Sequence, residues 1–384
     1  MLSLRGGPEL VALWAQLYSV IELVSGVALA GVGVGISVLV AQTQRTEHQR
    51  ALLRESMRLG GAMTVTAMLV MIGLAWWFPD QASAYGVSPS LVTLSAVVGV
   101  FAMLPGMING YWLGQQHRSR MLALALVAAL LPVAAALGAP QAGILAGIAL
   151  AHALPAVVAV FVGRGPAEPR GPLFSRSADH DISLLRSYVA AGVSIGLLSP
   201  ASMLAARAIV SSEISWHDAG LLQALWRVSD WVGSIAAGIM STYFLPRLSA
   251  AYGTADFDAE LKRCARLTLV PAAVAFVILF VFQRPVFGLL YDDSFNPGPG
   301  TAALFFAGSL LRIASWVAFF ALYAMRRTRA VTVGEFLSLP LFAALLALFS
   351  EGLTLQRAAG LWLVSYLAYG AFNLWALRRL RRLR

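Results

Sequence analysis

Apolar runs about one bilayer thickness long recur from one end of this 384-residue chain to the other, and they leave it few ways to fold. Hydrophobic residues make up 59% and charged residues 12%, with a mean hydropathy of +0.75. A soluble domain carries about 25% charged residues. Inside lipid every backbone amide must be satisfied internally, so only helices or closed barrels qualify. These runs lack the alternation of barrel strands, which makes the expected fold an all-α polytopic membrane bundle. Eleven spans are read near residues 10–41, 59–78, 90–114, 121–138, 142–163, 187–210, 219–246, 266–290, 301–325, 330–349 and 358–377. The first is too long for one straight crossing, and Gly31, Gly33 and Gly35 are expected to bend it.

The net charge of +10 lies in short connections rather than on a face that would suit nucleic acid. One set of connections carries Arg45, Arg50, Arg54 and Arg58, then Arg118 and Arg120, then Arg164 to Arg186. The same set continues with Lys262, Arg263 and Arg266, with Arg326, Arg327 and Arg329, and with the tail from Arg378 to Arg384. The intervening connections hold acids or nothing. The positive-inside rule puts the basic set and the C-terminus in the cytoplasm, and the N-terminus outside. Every outer connection is too short to house an enzyme. There is no G-x-S-x-G, no phosphate-cradling loop and no His/Cys metal spacing, and the single Cys264 excludes an internal disulfide. No catalytic residue, metal or cofactor is expected.

The longest hydrophilic stretch contains Pro166, Pro169 and Pro172 and reads as a linker, 164–186, between an N-terminal lobe, 1–163, and a C-terminal lobe, 187–384. The halves look alike. Leu17-Tyr18-x-Val20-x-Glu22-x-Val24 lies over Leu225-Trp226-x-Val228-x-Asp230-x-Val232. The basic turns at Arg118 and Thr328, and Gly147-x-x-Leu150 against Gly360-x-x-Leu363, fall at the same offset of about 210 residues. At that offset the span 187–210 has no counterpart after residue 1, so the first half is expected to lack an opening helix. The arrangement is then six plus six minus the first.

The segment from Ser215 to Tyr252 carries a resemblance. Ser215-Trp216 and Gly220, then Val228-Ser229-Asp230, then Leu245-Pro246 with Leu248-Ser249, resemble the Wzx-type flippases of the MOP exporter superfamily. Within that group the likeness is to the lipid III (enterobacterial common antigen) and O-antigen subgroup. Gly7-Pro8-Glu9 is similar to the family's turn between its first two helices. The resemblance implies a two-lobed MATE/MOP-like bundle in the bacterial inner membrane. It also implies a substrate, an undecaprenyl-pyrophosphate-linked oligosaccharide, flipped from the cytoplasmic to the periplasmic leaflet by alternating access. A glycan polymerase and a chain-length regulator are the protein partners that go with it.

Ionisable groups inside spans are costly and need a reason. Arg207, Arg227 and Arg312, all in the second half, are expected to line a cavity and hold the pyrophosphate, because a guanidinium binds phosphate bidentately and never loses its charge. Glu22, Asp230 and Glu335 are expected to act in coupling or charge relay. Arg227 and Asp230, three apart, can pair on one helix face; Glu335 can instead partner Arg312, and Arg207 can snorkel to the outer interface. His152 reads as a hydrogen-bonded interior histidine, and His217-Asp218 as a helix cap. Trp76, Trp77, Phe282 and Tyr291 read as interfacial anchors, and Trp226, Trp231 and Trp316 as deeper, for core packing or for stacking on sugars in a cavity. Two other functions are weighed. A multidrug or cation exporter of the same superfamily would favour acids in the cavity, and an O-antigen polymerase or ligase would need a substantial outer loop.

Overall fold

In a computed structural model the chain is described over residues 2–42, 45–79, 87–140, 143–163, 179–325 and 327–382. Among these the regular elements are helical. They are α1 (Leu2–Ala28), a π-turn (Leu29–Gly33), α2 (Val34–Gln42), α3 (Thr46–Trp77), α4 (Pro89–Gly114), α5 (Arg118–Gly138) and α6 (Ile144–Gly163). Then follow α7 (Asp179–Glu213), α8 (Trp216–Ile239), a second π-turn (Met240–Phe244), α9 (Leu245–Ala251), α10 (Asp256–Val281) and α11 (Gln283–Leu290). The last four are α12 (Pro299–Ala324), α13 (Thr328–Phe336), α14 (Leu339–Leu348) and α15 (Leu355–Arg382). Each expected span coincides with one of these helices or with a broken pair. Eight helical stretches among the described residues are long and apolar enough to cross a membrane, and this is a multi-pass membrane protein.

The interruptions have local causes. The expected bend in the first span is the π-turn at Leu29–Gly33. The expected turn before Pro8 is a break at Gly6 and Gly7, where Gly7 takes φ 60 and ψ −160. That conformation suits glycine, and Pro8 restarts the helix where its missing N–H costs nothing. The span read as continuous over 330–349 is two half-helices, which corrects the single helix expected from its hydropathy. Pro340, in the first turn of α14, has no N–H to give to the Phe336 carbonyl, so the helix cannot run on from α13. Ser338 turns to ψ −115, and its hydroxyl donates to the Glu335 carbonyl at 2.6 Å. Much of the linker read at 164–186 lies outside the described residues, and α7 already begins at Asp179.

Packing divides the chain into two compact units, one of Leu13–Leu204 and the other of Leu2–Ala12 with Ala205–Arg384. Both α1 and α7 therefore contribute to each. Lipid is as apolar as leucine, so helices in a membrane associate through close van der Waals packing of small residues. In the first unit α4 supplies that surface. A Cβ at Gly110 would sit 2.6 Å from the Gly33 carbonyl oxygen, and one at Gly114 would sit 2.8 Å from the Ser37 carbonyl. Ala28, Val32, Ile36 and Val40 bury themselves there with Met103, Met107 and Trp112. The second unit is centred on aromatic rings. Trp362 stacks on Phe305 with ring centroids 4.9 Å apart and meets Trp226 edge-on at 5.6 Å, with Phe342 completing the cluster.

Candidate functional site

Helix α8 carries two of the ionisable residues in question, and its N-terminus fixes their register. Ser215 is the N-cap: its hydroxyl accepts from the Asp218 amide at 3.0 Å and donates to the Asp218 carboxylate. The cap is therefore Ser215 with Asp218 rather than the expected His217-Asp218. His217 instead faces Glu9 at 3.6 Å.

Twelve residues into α8, Arg227 is exposed, while Trp226 beside it is 1% exposed within the aromatic cluster. Asp230 does not pair with Arg227, as the three-residue spacing had led one to expect. Its Oδ1 accepts from Arg312 Nη2 of α12 at 2.6 Å, and the two side chains are 35% and 11% exposed. The reason is steric. Gly233, one turn on from Asp230, leaves the room that the Arg312 head occupies, since a Cβ there would lie 2.7 Å from Nη2. The guanidinium rests against Trp316 at 5.0 Å and Trp362 at 5.8 Å from the ring centroids, positions that attract a cation. Arg312 Nε is buried without a hydrogen-bond partner.

Arg207 lies elsewhere in the same unit. It is 1% exposed, so it does not snorkel; it donates to Gln223 Oε1 at 2.8 Å and lies 6.0 Å from the Trp226 ring centroid. The three arginines thus share one unit but not one surface: Arg207 is inside, Arg312 is tied to Asp230, and Arg227 is outside. Beyond the membrane-spanning helices, burial pushes the Tyr291 phenol up to about 12, with the Arg227 charge acting the other way. Tyr291 stacks between Phe287 and Phe295, so it is more packed than a simple interfacial anchor. Trp76 and Trp77 are exposed as expected of anchors.

Glu335 sits at the end of α13, just before the break, and its partner is not Arg312. Its Oε1 accepts from the Tyr369 hydroxyl of α15 at 2.9 Å. One turn along α15, Asn373 is 0% exposed and both its amide atoms lack a hydrogen-bond partner. A carboxylate, a phenol and an unsatisfied amide therefore gather where a helix is broken. Sequence reasoning missed Tyr369 and Asn373; their i, i+4 spacing on one face of α15 was the available signal. Glu22 is half-buried in α1 of the first unit, where Ser25 donates toward its carbonyl at 3.5 Å. A groove of about 1040 Å³ in the second unit is lined by Leu304, Leu348, Glu351, Thr354, Arg357 and Val364, and takes in none of the predicted residues.

No family model matches this sequence, and no curated protein sequence does. Solved structures do match. The chain is similar to an inward-facing multidrug resistance MATE family transporter of the MOP superfamily, with TM-score 0.74 and 12% identity over 100% of this chain and 96% of that one. It is also similar to the lipid II flippase MurJ in an inward closed conformation, with TM-score 0.67 and 11% identity over 97% and 85%. A MOP superfamily transporter from Pyrococcus furiosus, described as having a binding pocket of reverse polarity, gives TM-score 0.66 and 14% identity over 98% and 89%. At such identities the likeness is one of fold, and the fold is the two-lobed MATE/MOP helix bundle.

Proposed function

We propose that the protein is a transporter of the MOP type that flips an undecaprenyl-pyrophosphate-linked oligosaccharide from the cytoplasmic to the periplasmic leaflet of a bacterial inner membrane. The observation that carries this reading is Arg227, an exposed guanidinium half-way along α8, beside the exposed indole of Trp231. A guanidinium on an exposed helix face keeps its charge and can bind phosphate bidentately, which favours an anionic cargo such as a diphosphate. The neighbouring indole offers a face on which a sugar ring can stack. Arg312, shielded by Asp230 and two tryptophans, serves as a second phosphate ligand only when the substrate displaces that carboxylate. Arg207 supports the aromatic core beneath them.

Export of roughly two negative charges from a negative interior is downhill by about 5 kcal/mol per 100 mV, so the membrane potential suffices as a driving force. Where a coupling cation contributes, the broken helix at Glu335 suits it. Unwound backbone carbonyls and half-helix C-terminal ends are where transporters hold coupling cations. Asp230 and Glu22 are the other two carboxylates in coupling positions.

The competing reading is export of a drug-like cation. The likeness to the multidrug transporter speaks for it; on α8 and α12, however, the carboxylate of Asp230 is held by Arg312, and the cation exposed beside it on α8 is Arg227. Proteoliposomes loaded with a fluorescent polyprenyl-pyrophosphate sugar, and separately with a lipophilic cationic dye, separate the two. Leaflet transfer of the pyrophosphate probe, reduced at least tenfold by Arg227→Ala, is the expected result. Movement of the dye with no transfer of the lipid would refute the proposal.

A further inference from the structure

The groove of about 1040 Å³ in the second unit shares no residue with the site described above. Its volume stands at the top of the range of about 300–1,000 Å³ that small-molecule sites occupy. Leu304 of α12, Leu348 at the end of α14 and one face of α15 line it, and α15 packs on both of the other helices. Along α15 the lining residues Arg357, Gly360, Leu361 and Val364 fall at i, i+3, i+4 and i+7, a single stripe. The lining is polar at Thr354, Gln356 and Arg357 and apolar beyond them. From Thr354 to Val364 the chain rises about 15 Å, half of the roughly 30 Å hydrocarbon thickness of a bilayer. The groove thus has the length of one leaflet, with its polar mouth at the end of α15 away from Arg378 and Arg379.

Glycine keeps the trough open. A Cβ at Gly360 would have no atom within 4 Å, whereas one at Gly308, where α12 and α15 close on each other, would lie 2.5 Å from Trp362 Cδ1. Leu348 and Val364 on the walls are exposed, and hydrocarbon is what meets such side chains within a bilayer. Two charges stand at the polar mouth. Glu351 is exposed and has no ion-pair partner among the described residues. Arg357 donates through Nη1 to the Gly352 carbonyl at 2.7 Å, which fixes the guanidinium on the turn and engages one of its five N–H groups. A carboxylate and a guanidinium at one mouth, not paired with each other, complement a headgroup that carries both signs.

From this geometry we infer that the groove is a binding site for one phospholipid with a zwitterionic headgroup of the phosphatidylethanolamine kind. Arg357 donates to the phosphate, Glu351 accepts from the ammonium, and an acyl chain lies over Gly360 between Leu304, Leu348 and Val364. A phospholipid with only negative charge satisfies Arg357 but sets its headgroup against Glu351, and like charges brought together suppress the wrong partner. The bound molecule is a resident of the lobe rather than its cargo, so the site stands independently of the transport reading.

The test uses the full chain, delipidated in detergent and titrated separately with phosphatidylethanolamine and phosphatidylglycerol, with bound lipid counted by native mass spectrometry. The expected result is one phosphatidylethanolamine per chain, held about fivefold more tightly than phosphatidylglycerol. Glu351→Gln, at an exposed position, should bring the two lipids to equal affinity, and Arg357→Ala should weaken both. Gly360→Leu puts a side chain into the open trough and should remove the bound lipid. Equal affinity for the two lipids in the parent chain overturns the proposal, and so does undiminished binding in Gly360→Leu. Displacement of phosphatidylethanolamine by a polyprenyl pyrophosphate would overturn it as well, because the groove would then belong to the path of the cargo.

Discussion

Asp230→Asn keeps the size of the side chain and removes the charge that faces Arg312. With N···O at 2.6 Å the charge centres lie about 4 Å apart, which at an effective dielectric of about 20 gives an attraction of about 4 kcal/mol. Asp230 is 35% exposed, so solvent screens part of that, and the asparagine oxygen still accepts a weaker hydrogen bond. Breaking a buried pair from one side costs about 3–5 kcal/mol when both members are enclosed. Here only Arg312 is, which brings the expected loss to about 2–3 kcal/mol. Arg312→Met leaves a carboxylate that can reach water and should cost less, about 1–2 kcal/mol. The double variant restores neutrality, and the two losses should fall short of additive by about 2 kcal/mol. Reversible unfolding in detergent measures all four proteins of the cycle. A coupling energy under about 0.5 kcal/mol would mean that the pair contributes nothing, and the account of Arg312 as a shielded cation would fail.

Three further outcomes are expected. Arg207→Met orphans Gln223 Oε1 in a fully enclosed position and should lower stability by about 1–3 kcal/mol; Arg227→Ala, on the exposed face, should cost no more than about 1 kcal/mol of stability while transport falls. Gly220→Ala places a methyl group on the Pro8 carbonyl, so the segment before Ala12 must move away from α8, and limited proteolysis should find new cleavage near Glu9 in that variant but not in the parent. Burial raises the Tyr291 phenol from its ordinary 10.0 to about 12, so the folded state holds this proton more tightly than the unfolded one. The stabilisation it brings is complete below pH 10 and disappears as pH rises to about 12, and Tyr291→Phe should flatten that part of the stability profile.

Much of the architecture was legible in the residues because it depends on local chemistry. Apolar length placed most of the spans, Gly7-Pro8-Glu9 fell at a break whose positive φ at Gly7 suits glycine, and His152 on an apolar helix found its backbone carbonyl one turn away. Ser338-Leu339-Pro340 also announced the break between α13 and α14, but its signal was hidden by the hydropathy of the stretch around it. The candidate site was less legible. Side chains three apart on α8 had every local reason to pair, yet Arg227 faces outward while Asp230 meets Arg312, 82 residues away in sequence.

Sequence by itself determined which segments are apolar enough to enter a bilayer and several of the places where helices bend or stop, since those follow from transfer energies and backbone dihedrals of neighbouring residues. Only the tertiary structure decided which charges meet across the helices. That choice depends on the room beside Gly233 and on the tryptophan faces of α12 and α15, and neither exists until the helices pack.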